Sequence, residues 1–568
     1  MRSNCARLKA TPVAGLALDG ALCGGLIWFG ECALIALIAT DLGGLSLLRD
    51  LAPALARWGL IYGAIGAVIG LSARWGRGIP LLIWLGLAAL GPTAVLPAWV
   101  YFGPVLLGWG LALGLHRLSL RGRAVLGAGL GAALVLVAIP PRPPPRAGRV
   151  QDAPHVLLIV ADSLRADRLS PTLTPEIWSI AQQGQRFTAV RSTASWTLPA
   201  HASLFTGVLP SEHGAHATHP RLDGELPTLA ERFAARGYRT VGLSANAWVS
   251  AGTGLDRGFD RFDFLGDRGI AEQLLLARWG GREADLGGAA ITRQAQLELE
   301  RASRDGVPLF LFINYLEAHE PLGSIPGEDP SLGRLWMRDM PRFWCACERD
   351  AGGLVCDRGL YRADPARVAE VIRRYDAGAT YIDAQIGALR QTLVQAGQWD
   401  QSWLVFTSDH GEQLGEDGRL GHMVWLQPSL VDIPLVVHGP GLPVGIDSDT
   451  RSLMDLPGWL LASTAGTPPP PPAPGAIAES HPHARSKLDA WGAAFGCDFA
   501  PAAVPRRSAQ LDGVRVLREA NQIWAEANGA RREPTPAERA RVSGPFDSGS
   551  AKVDAQTRQQ LRAIGYVE

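Results

Sequence analysis

The first 140 residues are long apolar runs nearly free of charge, with basic residues gathered between them, and this constrains the fold more than any other feature of the chain. Between Ala21 and Thr40 the one ionisable acid or base is Glu31, and apolar runs of similar length follow at 55–73, 79–97, 98–116 and 124–140. A helix needs about 20 apolar residues to cross a bilayer, so the front of the chain predicts five membrane-spanning helices, with the 79–116 stretch divided near Pro97. An intramembrane carboxylate is costly, and Glu31, with no basic partner, reads as a protonated or helix-shielded acid and not as a transport site. Basic residues set the orientation. With the N-terminus in the cytoplasm, Arg2, Arg7, Lys9, Arg74, Arg77, Arg117, Arg121 and Arg123 all fall inside, and five spans leave the remainder outside. No small-residue cleavage site follows a short apolar core, so the segment is expected to stay as an anchor. The expectation is a multi-pass protein of a bacterial-type inner (cell) membrane, with the lipid bilayer as a partner and its chemistry outside the cytoplasm.

Charge divides the chain at the same place. Residues 1–149 hold 13 Lys+Arg against Asp19, Glu31, Asp41 and Asp50, a net +9; the totals of 54 and 54 leave 41 against 50, or −9, for the rest. An acidic soluble part argues against a nucleic-acid partner. Lysine occurs only at 9, 487 and 552, so no mechanism can turn on a central lysine. The run Pro140 to Arg146 holds five prolines and cannot continue a helix. The expected organisation is a transmembrane domain at 1–140, a Pro/Arg-rich linker at 141–152, a catalytic domain at 153–465 and a subdomain completing it at 466–568, opened by the tract Pro468 to Pro474.

The soluble part reads as α/β. Apolar runs of strand length at 156–161, 239–245, 308–316, 403–408 and 433–438 alternate with helical patterns, as buried strands of one sheet do. The clearest helix covers 366–396, where Val368, Val371, Ile372, Tyr375, Ala379, Ile382, Ile386, Leu389 and Leu393 recur at helical spacing. In such folds chemistry collects at the carboxyl ends of the strands. Asp162 ends the first run, and Asp409 with His410 ends the fourth. Cys345, Cys347, Cys356 and Cys497 fall in the part expected outside, where an oxidising space allows a disulfide-tied lid. His213, His216 and His219 read as a polar surface loop, because Gly214 and Pro220 break the segment.

Thr197 opens a short helix, Thr197 to Gly207. There, unpaired backbone N–H groups and the helix dipole favour an anion or a deprotonated hydroxyl; the competing reading is an ordinary threonine cap.

The segments His155–Asp167 (HVLLIVADSLRAD), Thr197–Gly207 (TLPAHASLFTG) and Thr407–Glu412 (TSDHGE) occur in the order of the sulfatase family, part of the alkaline-phosphatase superfamily. The resemblance continues through Gly421-His422, Ile433–Gly441 (IPLVVHGPG) and Leu561–Val567 (LRAIGYV). It implies an alkaline-phosphatase-like α/β sheet flanked by helices, a divalent cation held by Asp162, Asp409 and His410, and Thr197 as the metal-bound nucleophile. A cation so held lowers the hydroxyl's pKa and neutralises ester oxygen charge. His319, in the segment Glu317–Pro321, and His422 match places where the family puts substrate-contacting or second-metal histidines, and both are expected to act in catalysis. His201 is expected among the substrate contacts.

Departures from the pattern narrow the chemistry. Classical sulfatases carry Cys or Ser where Thr197 stands, oxidise it to formylglycine, and have Arg in place of His201 and a second Asp in place of Ser163. Thr cannot give that aldehyde. A set of two Asp, one His and a hydroxyl suits zinc or manganese better than calcium. The expected function is a membrane-anchored, metal-dependent hydrolase of sulfate or phosphate esters on an envelope glycan or lipid. The alternative is a phosphoethanolamine- or glycerol-phosphate-type transferase, since such transferases also carry about five N-terminal spans.

Overall fold

The computed structural model describes residues from 153 to 543 with internal breaks, the longer ones at 267–284, 329–346, 356–364 and 490–496. The expected membrane spans, the 141–152 linker and the LRAIGYV motif lie outside the described residues. Among the described residues no helix is long and apolar enough to cross a membrane.

Strand β1 (Val156–Ala161) is buried at every position, which is why its sequence is an unbroken apolar run without alternation. After it come helix α1 (Pro175–Gln183), β2 (Gln185–Phe187), helix α2 (Thr197–Thr206), β3 (Arg239–Ser244), β4 (Arg261–Phe264), helix α3 (Gly288–Asp305) and β5 (Leu309–Tyr315). Helix α4 (Pro365–Gln395), β6 (Trp403–Thr407), β7 (Leu435–His438) and β8 (Gly445–Asp447) complete an eight-stranded sheet ordered β8-β2-β7-β6-β1-β5-β3-β4. From β6 to β4 neighbours are parallel; β7 runs antiparallel to both β6 and β2, and β8 is parallel to β2. The sheet is therefore mixed, with β7 alone reversed.

Helix α4 buries Val371, Tyr375, Ala379, Ile382, Ile386, Leu389 and Leu393, at spacings of three and four that keep one apolar stripe toward the core. It packs on α1 and α3. Gly378 lies within it at a close approach, since a Cβ there would stand 2.1 Å from the Glu317 carbonyl oxygen. That contact seats the loop leading to His319 directly on α4. A second, antiparallel sheet follows: β9 (Ala476–Ser480), β10 (Arg506–Leu511), β11 (Val514–Glu519), β12 (Gln522–Ala527) and β13 (Ala530–Arg532), paired in that order. Helix α5 (Pro536–Val542) packs on it. Cys347 and Cys497 lie on paired short strands, with Cys497 opposite Glu348 and Cys347 opposite Asp498; Cys345 and Cys356 lie outside the described residues.

Candidate active site and metal centre

Four strands and one helix converge at the carboxyl edge of the parallel strands. Asp162 and Ser163 follow β1, Asn246 follows β3, Asn314 ends on β5, and Asp409 and His410 follow β6. Helix α2 brings in Thr197 as its first residue, after Trp196 in extended backbone, and no side chain caps it. Thr197 is thus inside the helix and is not its cap. Pro199, in the first turn, has no N–H to leave unmet. Trp196 packs edge-on against Trp248 with centroids 5.3 Å apart, which ties the start of α2 to the turn that carries Asn246.

Each carboxylate is fixed through one oxygen and offers the other. Asp162 Oδ2 accepts Asn246 Nδ2 at 2.8 Å and Asn314 Nδ2 at 3.4 Å. Asp409 Oδ1 accepts the amides of Ser163 at 3.1 Å and His410 at 2.9 Å. The other oxygens, Asp162 Oδ1 and Asp409 Oδ2, lie 3.7 and 3.3 Å from His410 Nε2. His410 Nδ1 donates to the Gly411 carbonyl at 2.8 Å, which leaves Nε2 as the atom facing the carboxylates. Asp409 Oδ2 and His410 Nε2 are both buried without a hydrogen-bond partner. Two ligands of a tetrahedral ion at zinc–nitrogen or zinc–oxygen distances stand about 3.3 Å apart. The donor set Asp162, Asp409 and His410, with all three ligand atoms within 4.8 Å of one another, fits a small divalent cation.

Electrostatics agree with that donor set. Burial pushes the Asp409 carboxyl up, but His410 and His201 beside it and the Ser163 amide hold it below the ordinary range. Burial keeps His410 neutral despite the two carboxylates, the form in which imidazole ligates a metal.

Asn246 connects the cation site and Thr197. Its Oδ1 accepts the Trp248 amide at 2.9 Å, so its Nδ2 faces the site and donates to Thr197 Oγ1 at 3.3 Å as well as to Asp162. The sequence reading missed Asn246; its one signal is a polar side chain just past the end of a buried strand. It also missed the role of Ser163, whose φ of +63° is a left-handed conformation costing a non-glycine residue roughly 1–3 kcal/mol. Tyr375 on α4 holds that conformation by donating to the Ser163 carbonyl at 2.7 Å while accepting the Arg165 amide at 2.9 Å. Where the family carries a second Asp, Ser163 supplies a hydroxyl to Asp162 Oδ1 at 3.3 Å.

His319 and His422 stand beside this centre, with ring centroids 5.0 Å apart, and His422 is 4.5 Å from His410. His319 Nδ1 donates to the Glu320 carbonyl at 2.6 Å, leaving Nε2 buried and unpartnered. Burial works against a charge on His319, yet Asp162 and Glu320 raise its pKa, whereas burial and the charge of His319 push His422 down to about 3. The two rings are thereby set apart as a proton donor and a neutral partner. Behind His422, Glu412 lies 3.1 Å from Nδ1, and burial pushes its carboxyl up to about 7.

His201, expected among the substrate contacts, lies in the same cluster. It is fully buried on α2, its Nδ1 donates to the Thr197 carbonyl at 3.0 Å and lies 3.4 Å from Asp409 Oδ2, and its ring meets Phe312 edge-on. One helical turn after Thr197 and on the same face of α2, the ring braces the first turn of the helix and stands beside the Asp409 carboxylate. The expectation of a surface loop is corrected for His213 and His216. His213 and His216 are buried, His213 Nε2 pairs with Ser203 Oγ at 3.1 Å, and His216 stacks on His481 of the second sheet at 4.3 Å.

Comparison with known proteins follows the same lines. The family model described as Sulfatase matches residues 154–466. A choline-sulfatase of Rhizobium meliloti (strain 1021) is 23% identical over 360 residues, 53% of this chain and 66% of the relative. An uncharacterized sulfatase, YidJ, of Escherichia coli (strain K12) is 23% identical over 333 residues, 50% of this chain and 63% of the relative. The chain thus spans about two thirds or less of the length of these curated relatives. Among solved structures, a phosphonate monoester hydrolase from Silicibacter pomeroyi superposes with a TM-score of 0.52 at 19% identity, covering 72% of this chain and 94% of that one. That likeness is one of fold.

Proposed function

The chain belongs to the sulfatase family, and from that premise we propose that it is a metal-dependent hydrolase of sulfate or phosphate esters in which Thr197 is the nucleophile. The observation that carries this reading is the Asn246 side chain, whose one amide nitrogen donates both to Thr197 Oγ1 and to the Asp162 carboxylate. It keeps the hydroxyl against the cation site. A zinc- or manganese-like cation on Asp162, Asp409 and His410, with the Thr197 hydroxyl beside it, supplies Lewis acidity that favours the deprotonated hydroxyl and offsets charge on the ester oxygens.

Thr197 Oγ1 attacks the ester centre in line, and the backbone N–H groups at the start of α2 face the negative charge that gathers there. His319, protonated and presenting Nε2, gives its proton to the leaving oxygen. His422, held neutral, stands by as the base that activates the water displacing the ester from Thr197. An ester on Thr197 cannot be released by collapse to an aldehyde, so it must be cleaved by external attack. This favours phosphorus over sulfur as the central atom. The apolar front of the chain extends the proposal to a membrane anchor with the site outside the cytoplasm, acting on an envelope glycan or lipid. The transferase reading draws on the same five-span arrangement, and a radiolabelled lipid donor separates the two, because transfer puts label on an acceptor other than water.

Intact-mass analysis tests the nucleophile. Incubated with an activated phosphodiester, wild type gains a phosphoryl adduct at Thr197, Thr197→Ala gains none and loses turnover, and aryl sulfates turn over more slowly than phosphodiesters. The same adduct on both proteins would remove Thr197 from the mechanism.

A further inference from the structure

Arg191 stands on the two-residue strand Val190–Arg191, which pairs with Arg451–Ser452. Its side chain is 4% exposed, and its Nε donates to Asp432 Oδ1 at 3.2 Å. Nη1 and Nη2 are shut off from solvent, and neither has a partner. Two residues on, the Thr193 carbonyl accepts the Glu479 amide of β9 at 2.8 Å, so this segment abuts the five-stranded sheet. From β11 of that sheet comes Arg515, which donates through Nε to Glu526 at 3.1 Å and whose Nη1 is likewise buried and unpartnered.

The charge of Arg515 acts on Arg191. Burial and the Arg515 charge lower the pKa of Arg191, and only Asp432 supports it. Glu526, the carboxylate that pairs with Arg515, is shared with the exposed Arg531. Unmet donors on a buried cation are among the costliest features a fold can keep. The Nη pair of one arginine is a fork shaped for two oxygens of an anion, and the Arg515 Nη1 asks for a third.

We propose that Arg191 and Arg515 together bind a small inorganic oxyanion of the phosphate or sulfate class at the seam between the catalytic part and the five-stranded sheet. The anion supplies three oxygens to three nitrogens, Arg191 Nη1 and Nη2 and Arg515 Nη1, and faces the buried positive charge. Its effect is to fasten the C-terminal sheet to the segment that leads, six residues later, into Thr197. The site shares no residue with the Thr197 centre and does not depend on the function proposed above.

Thermal unfolding of the purified full chain tests it. At constant ionic strength, phosphate and sulfate raise the wild-type midpoint by a few degrees over chloride. Arg191→Met abolishes that rise and Arg515→Gln reduces or abolishes it. Anion binding at the Thr197 centre and the general salting effect of these ions are common to all three proteins and cancel in the comparison. An equal rise in wild type and both variants overturns the proposal. So does a wild type that responds to neither anion, since the arginines are then satisfied within the chain. Should Arg191→Met fail to fold, Arg515→Gln carries the test, its side chain being 19% exposed.

Discussion

At the scale of single residues, the site divides its work between the polar atoms of one side chain. Asp409 spends Oδ1 on two backbone amides and leaves Oδ2 to the cation site, so exchanging Oδ2 for an amide nitrogen alters ligation without loosening the turn. Asp409→Asn is expected to lower the bound metal of the purified protein at least roughly tenfold, the lower end of what even outer-shell changes cost. Its far-UV circular dichroism stays near native. Full metal content in that variant, by elemental analysis, would show that the donor set is wrong. In the sequence Asp162, Asp409 and His410 stand at strand ends and Thr197 at a helix start, and the resemblance to the sulfatase family singled them out as one site. Asn246, Ser163 and Tyr375 were not legible there. Each acts on a partner far away in sequence, and nothing local distinguishes an asparagine that orients a hydroxyl from one that ends a strand.

At the scale of elements, helix α4 and the loop Leu316–Glu320 set the placement of His319. In an ordinary helix interior, Gly→Ala gains about 1 kcal/mol. At Gly378 the new Cβ would meet the Glu317 carbonyl at 2.1 Å, and overpacking of this kind costs about 1–3 kcal/mol. Gly378→Ala should therefore lower the thermal midpoint, and it should lower turnover by more than the stability loss explains, because His319 rides on the displaced loop. A raised midpoint would refute the packing argument. The same loop carries a pH-dependent element. Burial, with repulsion from Asp285, pushes the Glu317 carboxyl up to about 7, although the amides of Gly288 and Leu316 oppose the shift. A raised folded-state pKa means that folding favours the protonated acid. Its contribution is fully present below the ordinary value of 4.5 and is lost as pH rises through about 7, a change on the order of 3 kcal/mol. Unfolding followed from pH 5 to 8 should show wild type losing stability relative to Glu317→Gln. Parallel curves for the two proteins would assign the pH dependence elsewhere.

At the scale of the whole molecule, orientation is the testable property. A reporter enzyme active only outside the cytoplasm should work when fused after Arg149 and fail when fused after Arg121; the reverse pattern would put the active site inside. The sequence by itself determined the α/β class, the strand ends that carry the acids and the extent of helix α4, because buried strands and amphipathic helices write their periods directly into residue order. It expected the helix at 366–396, and the structure has it at Pro365–Gln395. Strand direction was decided only by the tertiary structure. β7 is as apolar as its parallel neighbours, since a strand buried on both faces shows the same run whichever way it points, yet it alone is reversed. The company each histidine keeps was decided there too. As lone histidines in the sequence His201 and His319 look alike, and only packing set one beside Asp409 and the other beside His422. Burial and partnership are properties of contacts between distant segments, and no local pattern encodes them.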